Sequence, residues 1–294
     1  MKALACALPG QAAQPLSRYS TADLTRLVAA HPECPPMSRS TVWRILDRDA
    51  LKPWRHRSWI TVRDGQFAEK AGRVLDLYRG YWEGEPLAPD DCVLSADEQT
   101  SIQARSRGAS GAPPRPGQPM RVEQEYARRG ALASLAAWDV RRGGVIGRCD
   151  TTTGIAPFGK LVELVMQQEP YRSARRVFWL VDNGSSHRGA AARGRLQGQY
   201  PTLILVHLPT HASWLNQIEL YCSIVQRKVL SPNDFADFAA VAHRLLAFEL
   251  LYNDTAVPFH WRFTRQDLLD RLAALPDTPP PAAGTARPAE LIAA

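Results

Sequence analysis

RVFWLVDNGSSHRGAAARGRLQGQYPTLILVHL, residues 176–208, is the stretch whose reading decides the fold. RVFWLVD (176–182) is an almost unbroken apolar run closed by Asp182, the composition of a strand buried on both faces. TLILVHL (202–208) repeats the pattern, and the intervening segment predicts a helix after Ser186. Strand, helix and strand in succession form the repeating unit of an α/β sheet. Upstream, DCVLSAD (91–97), ALASLAAWDV (131–140) and GVIGRCD (144–150) predict three strands, the last two joined as a hairpin through a Gly-Gly turn. FGKLVELVMQQ (158–168) predicts a helix, as do the stretch from about Trp214 to Leu230 and the stretch 235–252. The order is β-β-β-α-β-α-β-α, an α/β domain. RSRGASGAPPRPGQPM (105–120), with Arg105, Arg107 and Arg115 and no acid, is expected to be a long functional or disordered loop.

Ahead of this domain, ADLTRLVAAHP (22–32) has helical spacing, and Ser38 is an N-cap for a second helix with Val42, Ile45 and Leu46 on one face. Arg39, Ser40, Thr41 and Arg44 lie on its open side, which makes the pair a helix-turn-helix candidate. Arg48, Lys52, Arg55 and Arg57 continue the basic surface. Between Met37 and Arg63 seven basic residues face two acidic ones, a local excess of +5 within a net charge of +7. A polyanion such as DNA is the expected partner, the alternative being a solvated basic face. A helix is predicted at 66–82, followed by the breaker-rich linker EGEPLAPDD.

Five scattered cysteines without a Cys-x-x-Cys pair suit a reducing compartment, and MKALACALPG is too short in its apolar run for a signal peptide. No run reaches the ~18 apolar residues of a membrane span. The expectation is a cytoplasmic, nucleoid-associated protein with no membrane partner.

Three acids occupy informative positions. Asp97 is expected to close the first strand, Asp182 closes the fourth, and Glu219 falls early in the helix after the fifth. In an open α/β sheet such strand ends collect at one edge, where ligands bind. Each aspartate alone is equally a turn former. Together they offer hard oxygen ligands for Mg²⁺ or Mn²⁺, which use one or two carboxylates per ion and complete their shells with water and phosphate. His207 and His211 have i,i+4 spacing, but Pro209 breaks the helix that a zinc pair would need.

LSADEQTSIQAR (94–105), VFWLVDNGSSHRG (177–189) and LPTHASWLNQIELYCSIVQRKVL (208–230) closely resemble the catalytic blocks of bacterial insertion-sequence transposases of the mariner-like superfamily, the insertion sequence six-thirty family. The resemblance runs from about Ser38 to Tyr252, and the SWLNQIE block (213–219) is its most specific part. It implies an RNase H-like domain, a mixed five-stranded sheet flanked by helices, with an Asp-Asp-Glu triad. Here 84 residues separate Asp97 from Asp182, and 36 separate Asp182 from Glu219, close to the family's second interval. The resemblance assigns the catalytic metal-binding role to Asp97, Asp182 and Glu219, with two Mg²⁺ or Mn²⁺ ions per site. It gives Asn183, His187 and Asn216 roles in orienting substrate or water, although Asn216 serves equally as a local hydrogen-bonding residue and His187 as a helix start.

The implied activity is cleavage of double-stranded DNA at terminal inverted repeats and strand transfer into target DNA at TA, by a homodimer. A DNA-binding repressor derived from a transposase, or a nuclease without joining activity, are the alternatives. Family members carry two helix-turn-helix modules, whereas about 36 residues precede Ser38, so a shortened N-terminus is expected. The expected organisation is a disordered 1–16, a helix-turn-helix region at 17–63, and a linker helix and loop at 64–90. The catalytic domain would follow at 91–256, then a largely disordered extension at 257–294.

Overall fold

The structure, a computed structural model, describes residues 1–12, 14–56, 62, 64–184 and 189–274. The chain divides into two compact units, residues 1–61 and 62–294.

In the first unit, α1 (Lys2–Cys6) and a 3₁₀ turn (Pro9–Ala12) precede α2 (Thr21–Ala30) and α3 (Arg39–Arg48). Ser20 opens α2 in a reciprocal capping box with Asp23. Ser38 opens α3 as its residue type predicts, accepting the Thr41 N–H at 3.2 Å. Val42 and Leu46 from α3 pack on Leu24 and Tyr19, and Ala5 joins the same core. The first residues, expected to be disordered, therefore supply a helix and a core side chain.

The second unit begins with α4 (Phe67–Tyr78). Its predicted extension to residue 82 fails because Gly80 turns left-handed, and β1 (Tyr81–Trp82) pairs with β2 (Glu85–Pro86) across Glu83 and Gly84, both at positive φ. Then come β3 (Asp91–Ser106), β4 (Ala127–Asp139), β5 (Val145–Asp150), α5 (Ile155–Met166), β6 (Arg176–Val181), α6 (Gly189–Gln199) and β7 (Leu203–His207). α7 (Ile218–Lys228), α8 (Phe238–Asn253) and α9 (Arg265–Ala273) complete it. The helix expected from Trp214 is instead a 3₁₀ turn at Ser213–Leu215, an extended Asn216, and then α7. α9 lies in the segment expected to be largely disordered; residues 275–294 lie outside the described residues. Among the described residues, no helix is long and apolar enough to cross a membrane.

The five strands form one mixed sheet in the order β5-β4-β3-β6-β7. β3, β4 and β5 are antiparallel neighbours, whereas β3, β6 and β7 run parallel. Strand alternation sorts side chains onto two faces. Cys92, Leu94 and Ala96 of β3 join Val177, Trp179 and Val181 of β6 against Phe158, Leu161 and Val165 of α5. Val93, Phe178 and Leu180 face the other way, onto Val74 and Leu77 of α4, Ile218 and Tyr221 of α7, and Val241 and Leu245 of α8.

β3 does not end at Asp97. It continues to Ser106 and, with β4, forms an arm reaching into the stretch read as a loop. Residues 127–131 of β4 are exposed, so no burial alternation marks them as strand. The segment beyond the arm holds two isolated bridges, Ala112 with Arg121 and Arg115 with Gln118.

At the start of β3, the central strand, Asp91 is fully buried and takes paired hydrogen bonds from Arg175 (3.1 and 3.0 Å) and Arg176 (3.0 and 2.6 Å). This staples the start of β3 to the start of β6.

Candidate active site

Register and strand parity bring the first two acids together. The parallel pairing of β3 with β6 ends at Ser95 and Leu180. Two residues further along each chain come Asp97, still in β3, and Asp182, just past the end of β6, and strand parity turns both toward the same face. That face is covered by α7, whose first turn carries Glu219. Beyond Ser95, β3 keeps only its β4 partner, with Asp97 opposite Ala136, so the sheet opens where the acids sit.

Each acid is tied down by backbone. The Glu98 N–H donates to Asp97 Oδ1 at 2.7 Å, and the Gly184 N–H donates to Asp182 Oδ1 at 2.8 Å. Glu219 donates its own N–H to the Asn216 carbonyl at 3.1 Å. Asn216 is buried, with its amide NH₂ on Asp97 Oδ2 at 3.1 Å and on the Ala96 carbonyl at 3.1 Å. It is therefore fixed by contacts to β3.

The electrostatics follow. The Asp97 carboxyl is pushed up to about 6, first by burial and then by the negative charges of Asp182 and Glu219. An anionic centre strained in this way attracts cations. Among the described residues, no three His, Cys, Asp or Glu side chains are gathered closely enough to cage a single ion. The all-oxygen, one-face donor set fits ions that take one or two protein carboxylates each, as Mg²⁺ and Mn²⁺ do.

Asn183 donates its amide to the Leu208 carbonyl at 2.8 Å, joining the loop after β6 to the end of β7. His187 lies outside the described residues. Arg39, Ser40, Arg44 and Arg48 are exposed on α3, with Lys52 and Arg55 exposed beyond it; Thr41 is half-buried and Arg57 lies outside the described residues. The Ser38 hydroxyl holds those of Ser40 (3.0 Å) and Thr41 (2.9 Å), so these two residues are partly engaged in capping.

Sequence reading missed several neighbours. Glu249 of α8 and Cys222 of α7 line a cavity of 20 Å³ with Asp97. Burial pushes Glu249 up to about 7 against the Gly147 N–H. Burial and the charges of Asp97 and Glu219 push the Cys222 thiol up to about 12. A wider cleft of 710 Å³ opens beside Asn183, lined by Lys70, Arg73, Trp82, Arg193 and His207 among others. Neither was legible, because α4, α6 and α8 bring these residues from remote parts of the chain.

The sequence profile of the family described as DDE superfamily endonuclease matches residues 93–242, just over half of the chain. No curated protein matches. Similar solved structures include "Crystal structure of the mariner Mos1 paired end complex with Mg" at 18% identity, covering 88% of this chain and 78% of that one, with a TM-score of 0.48. "Crystal structure of the Mos1 Strand Transfer Complex" is similar at 17% identity, covering 81% and 72%, with a TM-score of 0.47.

Proposed function

The chain belongs to the DDE superfamily endonucleases, and on that premise we propose that it is a transposase that cuts DNA at terminal inverted repeats and joins the freed end to target DNA. The observation that carries this reading is the convergence of Asp97 and Asp182 on the face bearing Glu219, with Asp97 raised by burial and by the charges of the other two. The finer assignment, an RNase H-like member of the insertion sequence six-thirty family, is supported by the three matching sequence blocks and by the sheet order.

Asp97, Asp182 and Glu219 would hold two Mg²⁺ or Mn²⁺ ions. When bound, such a pair activates the attacking oxygen and stabilises the leaving one in an in-line displacement at phosphorus. The chain's own contribution is placement: β3 and β6 set two carboxylates side by side, α7 brings the third, and Asn216 holds Asp97 in orientation. Hydrolysis and strand transfer then differ only in nucleophile, water or a 3′-hydroxyl. A TA target suits the chemistry because that step kinks at low cost. The exposed basic residues of α3 and its tail supply DNA contacts, and cutting two ends calls for two copies of the chain.

Incubating the purified chain with labelled inverted-repeat DNA and Mg²⁺ or Mn²⁺ tests the reading. Joined product supports a transposase, and cleavage without joining points to a nuclease. Absence of cleavage points to a DNA-binding repressor. Asp182→Asn should lose cleavage; a variant as fast as the parent would overturn the site assignment.

A further inference from the structure

Behind Asp97 lies a buried polar network that joins three elements. Ser95 is fully buried on β3, two residues before Asp97 and on the same face. Its hydroxyl donates to the Asn216 side-chain oxygen and accepts the Ile218 N–H at 3.0 Å. The Tyr78 hydroxyl, at the end of α4, donates to the Leu215 carbonyl, accepts the Gln217 N–H at 3.4 Å, and lies against Ser95. Backbone groups of 215, 217 and 218, which cannot enter the regular helix ladder at its start, are thus satisfied by two side chains from other elements.

The consequence concerns the amide of Asn216. Its two ends are nearly the same shape, and what distinguishes them is who donates to whom. Because Ser95 donates to the oxygen, the NH₂ end must face Asp97 and the Ala96 carbonyl. Reversed, the amide would aim its oxygen at a carboxylate and at a carbonyl, leaving both without their donor. Ser95 therefore sets the orientation of a group that touches the metal-binding acid, and Tyr78 holds the backbone from which Asn216 and Glu219 project.

We infer that Ser95 and Tyr78 are positioning residues for the acidic centre: Ser95 locks the Asn216 amide toward Asp97, and Tyr78 fixes the 215–218 segment, so that the site accepts divalent metal without rearranging. This rests on the metal-binding role proposed above for Asp97, Asp182 and Glu219. Second-layer partners of this kind typically change metal affinity 10–100-fold when removed.

The test is Mn²⁺ uptake by the full chain without DNA, followed by the Mn²⁺ electron paramagnetic resonance signal and by Mn²⁺-dependent thermal stabilisation. Ser95→Ala and Asn216→Ala should each raise the half-saturating Mn²⁺ concentration about tenfold. The double variant should lose less than the product of the single losses, because both side chains act on the Asn216–Asp97 contact. Ser95→Cys, which keeps the volume and a weak donor, should recover part of the loss, and Tyr78→Phe should weaken uptake about threefold or more. A merely structural Ser95 would lower the melting temperature and leave the Mn²⁺ concentration dependence unchanged, and that result overturns the inference. So does a double variant whose loss is the product of the single losses. If the parent chain takes up no Mn²⁺, the metal reading and this inference fall together; if it takes up Mn²⁺ but cuts no DNA, the transposase reading falls while the uptake series still decides the role of Ser95.

Discussion

Asp97 and Glu249 are two carboxyls whose burial costs the folded chain stability. Both stand above their ordinary values of 3.8 and 4.5, at about 6 and about 7, with burial the largest cause. A raised acid is penalised while charged, so its cost is fully present above the folded value and is relieved as pH falls toward the unfolded one. Metal-free protein should therefore gain stability from these two groups between about pH 7 and pH 4, by up to about 2 kcal/mol each after allowance for solvent screening. Denaturant melts at pH 7.5 and 5.5 in a chelator check this: the gain should shrink in Asp97→Asn and again in Glu249→Gln. Asp97→Asn should also melt higher than the parent at pH 7.5 without metal and lose all Mn²⁺-induced stabilisation. A parent whose stability falls steadily from pH 7.5 to 5.5, with Glu249→Gln showing the same slope, would contradict this account of both groups.

Among the elements, β3 and its neighbours carry the strongest local constraints. Burial pulls Asp91 upward, yet the guanidiniums of Arg176 and Arg175 outweigh it and hold the carboxyl well below the usual range. Asp91→Ala leaves both arginines without their shared carboxylate and should lower stability by about 3 kcal/mol, measured by urea melts near pH 7. For the parent, the Asp91 carboxylate stays charged until pH falls well below 4, but its stabilising contribution, full above the ordinary carboxylate value, is lost progressively as pH falls from there through the lowered folded value. At the β4–β5 turn, Gly143 has φ +80° and an added Cβ would lie 2.2 Å from the Val257 carbonyl carbon. Gly143→Ala should cost at least about 2 kcal/mol, and a melt within 0.5 kcal/mol of the parent would show that the turn yields.

These elements also show what a sequence discloses. RVFWLVD and TLILVHL were legible because burial on both faces leaves an apolar run. Ser38 was legible because a cap is a local contact. The second half of β3 was not, since the polar Gln99–Ser101 bulge interrupts the strand before the buried pair Ile102 and Ala104 and its partner residues 127–131 are exposed, and neither was the role of Ser95, whose Asn216 and Ile218 partners lie more than a hundred residues away. The three acids were picked out by residue type and position together with the resemblance of their sequence blocks to a transposase family. Their convergence needed the register of β3 on β6.

For the whole molecule, the charge imbalance of +7 is the most accessible handle. If α3 reads phosphates, Arg39→Ala and Arg44→Ala should each weaken DNA binding and reduce the slope of log affinity against log salt by about one. An unchanged slope in both variants would move the DNA contacts elsewhere.

The arm made by β3 and β4 bears on how such a chain can diverge over generations. Its register shifts between Gln99 and Ile102, where Ser101 adopts positive φ, only a few residues past Asp97. In a strand, one residue gained or lost turns every later side chain to the opposite face. A single deletion between Asp91 and Asp97 would therefore rotate the acid away from α7, whereas insertions beyond the bulge leave its parity alone. Past the contacts of Arg107 and Glu123 that anchor the base of the tip, the stretch 110–122 can change in length without altering the parity of the chemistry at the base of the same strand.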